Sequence, residues 1–373
     1  MLANSATANA QKALLTEELA ITAIRDFFRE PPFLFLGTGM SCAVDIRFGM
    51  GALRDVLIDE IPNLLTNDEA KQQWENVQQA LKTEADLESA LDSVTDLPLL
   101  QAIISVTGKF ISGIDHEYAI KIAQDSTHWP AIHFIKRLVD KLPEGDRVLH
   151  VLTPNYDMLV EYASDSVGIK YANGFFGGIE KTINWNAVNQ ALLVSEPQVR
   201  YGRFRPIYKP EKHIRLYKVH GSLNYFFHHN RVVENDAWMW NPPDFAQRVI
   251  ITPGLSKYET LQCYRQELLK SADDAIEKAS HFLFIGYGFN DNHLEEYVRR
   301  KLIKQSCNGL IITRDSNPRI ESILKQSPNL WLVCKRHMED GTRIFNCQYE
   351  GWLQLPSQNL WDIAEFHKRI FGG

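Results

Sequence analysis

Cysteine is scarce and scattered: the 373 residues hold five, at positions 42, 263, 307, 334 and 347, with no C-x-x-C pair. An odd number without paired spacing suits neither a disulfide framework nor a zinc site of four thiolates, so reduced thiols and no metal are expected. No H-E-x-x-H or equivalent spacing offers another metal site. Long apolar runs are missing too: no stretch of 18 or more apolar residues occurs, and no basic segment with an apolar core opens the chain. Neither a membrane span nor a signal peptide is therefore expected, and the cytoplasm is the expected compartment. Positive charge is not in excess, since 40 Lys and Arg stand against 46 Asp and Glu for a net charge of -6. Strong direct nucleic-acid binding is not expected from that balance. There is also no G-x-S-x-G elbow, so Ser222 beside His220 makes a poor hydrolase triad.

What is present is ordinary for a globular chain, with 45% hydrophobic and 23% charged residues. Short apolar runs at 33–36, 148–152, 216–219, 249–252, 282–285, 310–313 and 330–333 read as strands, and helical patterns lie between the last four. That alternation predicts an α/β fold, a Rossmann-like parallel sheet with helices on both faces, plus a helical insertion or small domain. The expected organisation is an N-terminal helical extension over 1–30 and an α/β domain over 31–373. Into the latter are set a helical insertion at about 58–145 and an irregular, lid-like insertion at about 165–214.

Three runs end abruptly in glycine and polar side chains, and in an open α/β sheet ligands bind beyond the C-terminal strand ends. The first leads into Gly37-Thr38-Gly39-Met40-Ser41, whose glycines would let backbone N–H groups reach a phosphate. The second leads into Thr153-Pro154-Asn155-Tyr156-Asp157, where an amide and a carboxylate either recognise a ligand or cap the next helix. The third leads into His220-Gly221-Ser222, with His220 either a general base near neutral pH or a hydrogen-bonded core residue, and Gly221 leaving room for a ligand to approach. A later loop, Gly286-Tyr287-Gly288-Phe289-Asn290-Asp291, repeats the arrangement; it suits the nucleoside end of a dinucleotide or is a plain β-α turn.

In this order the motifs resemble the sirtuin superfamily, in particular its prokaryotic zinc-free branch of antiviral-defence NADases. Residues 37–41 are similar to the family's G-A-G-x-S loop, 153–157 to T-Q-N-x-D, and 220–221 to H-G. The resemblance implies that Asn155 and Asp157 line the nicotinamide and its ribose together with Ser41, and that His220 is the catalytic histidine. Gly37, Thr38 and Gly39 fall in the first loop, while Gly286, Tyr287, Gly288 and Asn290 would hold the adenosine side. Thr313-Arg314-Asp315 stands where the family has N-x-E, which leaves Asp315 as a ribose contact. The family's two C-x-x-C pairs are absent, and 230–248 is too short for that zinc module. The G-I-P-x-F-R segment is also absent, leaving Arg47 and Arg54 as alternatives for its arginine. Water then becomes the expected acceptor: NAD+ would be hydrolysed to nicotinamide and ADP-ribose, depleting the cell in an abortive-infection response. The implied partners are further copies of the chain and a HerA-type ring ATPase. The alternatives are a non-hydrolysing NAD+- or ADP-ribose-binding subunit and a zinc-free deacylase or ADP-ribosyltransferase.

Overall fold

The computed structural model describes residues 12–83, 86–200, 203–250 and 259–372. The chain divides into two compact units, one of residues 1–30, 280–284 and 288–373, the other of 31–279 and 285–287. The fold is mixed α/β, with largely parallel sheet flanked by helices and extra helical elements, as the sequence predicts.

In the larger unit Phe33–Leu36, Val148–Thr153, His213–Lys218 and Lys170–Ala172 lie side by side in that order, each parallel to its neighbour. All four residues of Phe33–Leu36 are buried, as a parallel strand covered on both faces demands of an apolar run. The excursion between the first two strands is helical, as expected, and includes Met50–Glu60, Asp68–Lys82, Leu97–Ala123 and Ile132–Asp140. Side-chain caps start two of these helices: Asn67 Oδ1 accepts from the Ala70 N–H at 2.6 Å, and Asp96 Oδ1 from that of Leu99 at 2.9 Å. Leu57, Ile61, Trp74, Leu91 and Ile103 pack into one core cluster here, which Ile250 joins. Leu97–Ala123 is long and apolar enough to cross a membrane, yet 56% of its most apolar window is buried within the protein, as in a core helix.

The stretch 165–214, expected to be irregular, is structured. It carries Lys170–Ala172, Phe175–Gly177, Lys181–Ile183, the helix Trp185–Ala191, and the hairpin Leu193–Arg200 with Arg203–Pro210. A second sheet, not anticipated, runs Gln247–Ile250, Gly221–His228, Arg231–Glu234, Lys181–Ile183, Phe175–Gly177, antiparallel throughout. Its central hairpin turns at His229 and Asn230, both at positive φ (49° and 57°), the geometry that matches the twist of paired strands. The expected strand at 249–252 begins earlier, at Gln247, and positions 251 and 252 lie outside the described residues.

In the smaller unit Asn308–Thr313 and Leu330–Lys335 are parallel, and Thr342–Phe345 and Leu353–Leu355 continue the sheet antiparallel. The helices Glu17–Phe27 and Ile363–Phe371 are joined by an ion pair, Arg369 to Glu17 at 2.7 Å.

Candidate functional site

Register brings the first three motifs to one edge. Leu34 is level with Val151, and Thr153 is level with Lys218. Asn155 and His220 therefore each lie two residues beyond paired positions, and Gly37 follows the adjacent strand. Thr153 ends its strand with a hydroxyl that donates to Leu36 O at 2.8 Å and accepts from the Asn155 N–H at 3.1 Å, fixing where the chain leaves the sheet.

Asn155, Ser41 and Asp157 form one hydrogen-bonded chain. Asn155 Nδ2 donates to Gly37 O at 3.1 Å and to Ser41 Oγ at 2.9 Å, and Ser41 Oγ donates to Asp157 Oδ2 at 2.7 Å. The orientation of the amide follows from chemistry, since a carbonyl oxygen such as Gly37 O only accepts and must face the NH2 end. Asn155 Oδ1 receives the Thr38 hydroxyl at 3.4 Å, a long contact that leaves acceptor capacity. Asn155 is half-buried, whereas Ser41 (2% exposed) and Asp157 (7%) lie beneath it. The other carboxylate oxygen of Asp157 accepts at 3.2 Å from the N–H of Leu159, the first residue of the helix Leu159–Ser166.

The glycines do different work from that expected. Gly37 N–H donates to Ile285 O and Gly39 N–H to Gly286 O, each at 3.0 Å, so these two donors, read as phosphate ligands, are engaged within the fold. A Cβ on Gly37 would stand 2.3 Å from Gly286 O, so the small residue is needed for two backbones to cross. Tyr287 is buried with its ring edge-on to Phe35 at 5.6 Å. His220 sits in the half-buried turn between His213–Lys218 and Gly221–His228. Gly221, read as leaving room for a ligand, has φ +90°, and a Cβ there would lie 2.1 Å from Val249 O; the neighbouring strand fills that space. Arg47 is tied to Asp45 and Glu117, and Arg54 to Asp55.

Gly288, Asn290 and Asp315 belong to the smaller unit, where the start of the helix Pro318–Gln326 holds the first two. Asn317 Nδ2 donates to Gly288 O at 2.7 Å, and Arg319 Nη1 to Asn290 O at 2.9 Å. Asp315 is exposed and accepts from Arg314 Nε at 2.7 Å.

Several buried groups beneath the strand ends escaped sequence reasoning. Asp115, fully buried, accepts from the Met158 N–H at 2.8 Å and the Tyr162 hydroxyl at 2.6 Å; burial raises its pKa to about 6. Lys218 pairs with Glu161 at 2.9 Å, and burial raises the Glu161 pKa against the pull of the lysine. The available signal was Lys218 itself, a charge at the end of an apolar strand. Among the described residues no cluster of three or more His, Cys, Asp or Glu is arranged to hold a metal.

Residues 149–330 match the family model of the SIR2-like domain. The matched span includes Asn155, Asp157, His220 and the loop at 286–290, and begins after the loop at 37–41. Identity is low: a solved structure described as "Structural Basis for the Mechanism and Regulation of Sir2 Enzymes" aligns over 81% of this chain and 89% of its own, at 13% identity and a TM-score of 0.40. No curated protein matches the chain.

Proposed function

We propose that this SIR2-like chain is an NAD+ glycohydrolase, using water to cleave the bond between nicotinamide and ribose. The observation that carries the reading is the convergence of Asn155, Ser41 and Asp157 into one hydrogen-bonded chain at the strand ends where His220 also emerges. The donor set suits a ribose and a carboxamide. Asn155 Oδ1 retains acceptor capacity for a hydroxyl or a water, and Ser41 and Asp157 hold the amide so that this oxygen keeps one direction.

In this reading Asn155 orients the attacking water, and His220 takes its proton as the water oxygen bonds the ribose carbon. Nicotinamide leaves with the electron pair of the broken C–N bond, and the proton passes from His220 to solvent. General-base help of this kind contributes on the order of 10²- to 10⁴-fold in rate. The same reading gives the protein a cytoplasmic role in prokaryotic antiviral defence through NAD+ depletion. Restraint would come from homo-oligomerisation or from a HerA-type ATPase, because an unregulated enzyme of this kind would kill its host.

Turnover in heavy-oxygen water tests the acceptor. One labelled oxygen should enter ADP-ribose, with nicotinamide released in equal amount and no need for an acyl-peptide. Dependence on such a peptide, or transfer of ADP-ribose to protein, would instead make the chain a deacylase or a transferase.

A further inference from the structure

Beneath the candidate site lies a charge that the proposed chemistry does not use. Lys218 is 1% exposed and Glu161 is 3% exposed, so both partners of this ion pair are inside the protein. Taking two charges out of water costs several kcal/mol for each ion, and such a pair is rarely a source of net stability. Lys218 makes further bonds that a pairing role does not require. Its ammonium donates to Asp157 O at 2.5 Å and approaches Tyr156 O at 3.4 Å and Met158 Sδ at 3.4 Å.

Those carbonyls belong to the residues directly after Asn155. Tyr156 O also accepts the Leu223 N–H at 3.0 Å and faces the Ser222 hydroxyl at 3.5 Å. Three donors from 218–223, the segment that contains His220, thus converge on the loop that contains Asn155 and Asp157. From the other side, Asp115 takes the Met158 N–H at 2.8 Å. The loop is gripped by its carbonyls and by its amide, and both gripping side chains are buried.

We propose that Lys218 is a positioning residue, its buried ammonium locking the Tyr156–Asp157 backbone to the His220 turn so that Asn155 and His220 keep one fixed geometry. The inference rests on the glycohydrolase reading for its kinetic consequence, but the clamp itself is a structural claim. Glu161 has the subordinate task of keeping the ammonium aimed. A displacement of about 1 Å in a reacting constellation costs on the order of 10²-fold in rate, so a lost clamp should act on kcat.

Lys218→Met alone would strand the Glu161 carboxylate and is expected to misfold, so the decisive variant is the pair Lys218→Met with Glu161→Gln. Both charges are then gone at nearly constant volume, a change that buried ion pairs often tolerate. Melting should stay close to wild type while kcat for nicotinamide release falls on the order of 10²-fold with little change in KM. Backbone amides over 155–159 should exchange with solvent faster, with those of 148–153 unchanged. Glu161→Gln alone leaves the ammonium on its carbonyls and should keep most of kcat. A folded double variant with wild-type kcat and exchange would overturn the proposal, as would loss of kcat in Glu161→Gln equal to that in the double variant. If the wild type releases no nicotinamide, the glycohydrolase reading fails, and the exchange comparison still decides whether Lys218 holds the loop.

Discussion

Asn155→Asp replaces one NH2 by an oxygen at the centre of the hydrogen-bonded chain. In the wild type that NH2 faces two acceptors, Gly37 O at 3.1 Å and Ser41 Oγ at 2.9 Å, and the serine hydrogen is already given to Asp157 Oδ2 at 2.7 Å. An ionised carboxylate would face the Gly37 carbonyl with nothing between them. Ser41 could satisfy the new group only by abandoning Asp157. Two hydrogen bonds are lost at roughly 1 kcal/mol each, and a half-buried carbonyl left unsatisfied adds about 1–3 kcal/mol, so destabilisation of about 3–5 kcal/mol is expected at pH 8. The sign with pH follows. The fold opposes ionisation, which raises the folded pKa of the introduced carboxyl above its unfolded value of about 3.9. Below that raised pKa the group is a neutral acid with one O–H to donate, so the defect is small at low pH and grows as pH rises through the folded pKa. Urea unfolding of wild type and variant at pH 5 and pH 8 measures the difference, with groups common to both largely cancelling. A difference below about 0.5 kcal/mol, equal at the two pH values, would refute the assigned orientation of the Asn155 amide and the chain built on it.

Two further outcomes are expected. Gly221→Ala should lower the melting temperature by several degrees, because its Cβ would meet Val249 O at 2.1 Å on a backbone held at φ +90°; an unchanged melt would contradict the strand contact. Burial raises the pKa of Glu295 from 4.5 to about 8. The native state therefore holds a proton that the unfolded state releases, and stability falls as pH rises between those values. Glu295→Gln should remove that slope, gaining on wild type by as much as about 5 kcal/mol between pH 4 and pH 9; a flat difference in thermal unfolding would show that the carboxyl is not buried as described.

Strands buried on both faces were legible because continuous apolar runs leave few alternatives. The run 33–36 is reproduced as Phe33–Leu36, and 148–152 gains only Thr153, whose hydroxyl made it look like loop. The stretch 165–214 was opaque for physical reasons. Three of its strands are three residues long, too short for any period to show. Its hairpin carries prolines in both strands, with Pro197 opposite Pro206, and proline inside a run argues against strand. Gly221 and Asn224 similarly disguised Gly221–His228, whose first residue lies close against Val249 O.

At the candidate site, Asn155 and Asp157 stood out as polar residues that end an apolar run, Ser41 was implied by the resemblance, and the structure brings the three together. Lys218 and Asp115 did not stand out as a pair of restraints on one loop. Each lies within an apolar element, and each meets its partners through contacts between segments 43 to 62 residues apart. The glycines were noticed but assigned to ligand approach, when Gly37 and Gly221 make room for backbone carbonyls instead.

The most direct measurement is chromatographic separation of the products formed from NAD+ by the purified protein, beside Asn155→Ala and His220→Ala variants whose folding has been verified. The account predicts nicotinamide and ADP-ribose in equal amounts from wild type, and a loss on the order of 10²-fold or more in each variant. Wild-type turnover in both variants would contradict the assigned site, and a wild type that binds NAD+ but leaves it intact, alone and with an added ring ATPase, would contradict the proposed reaction.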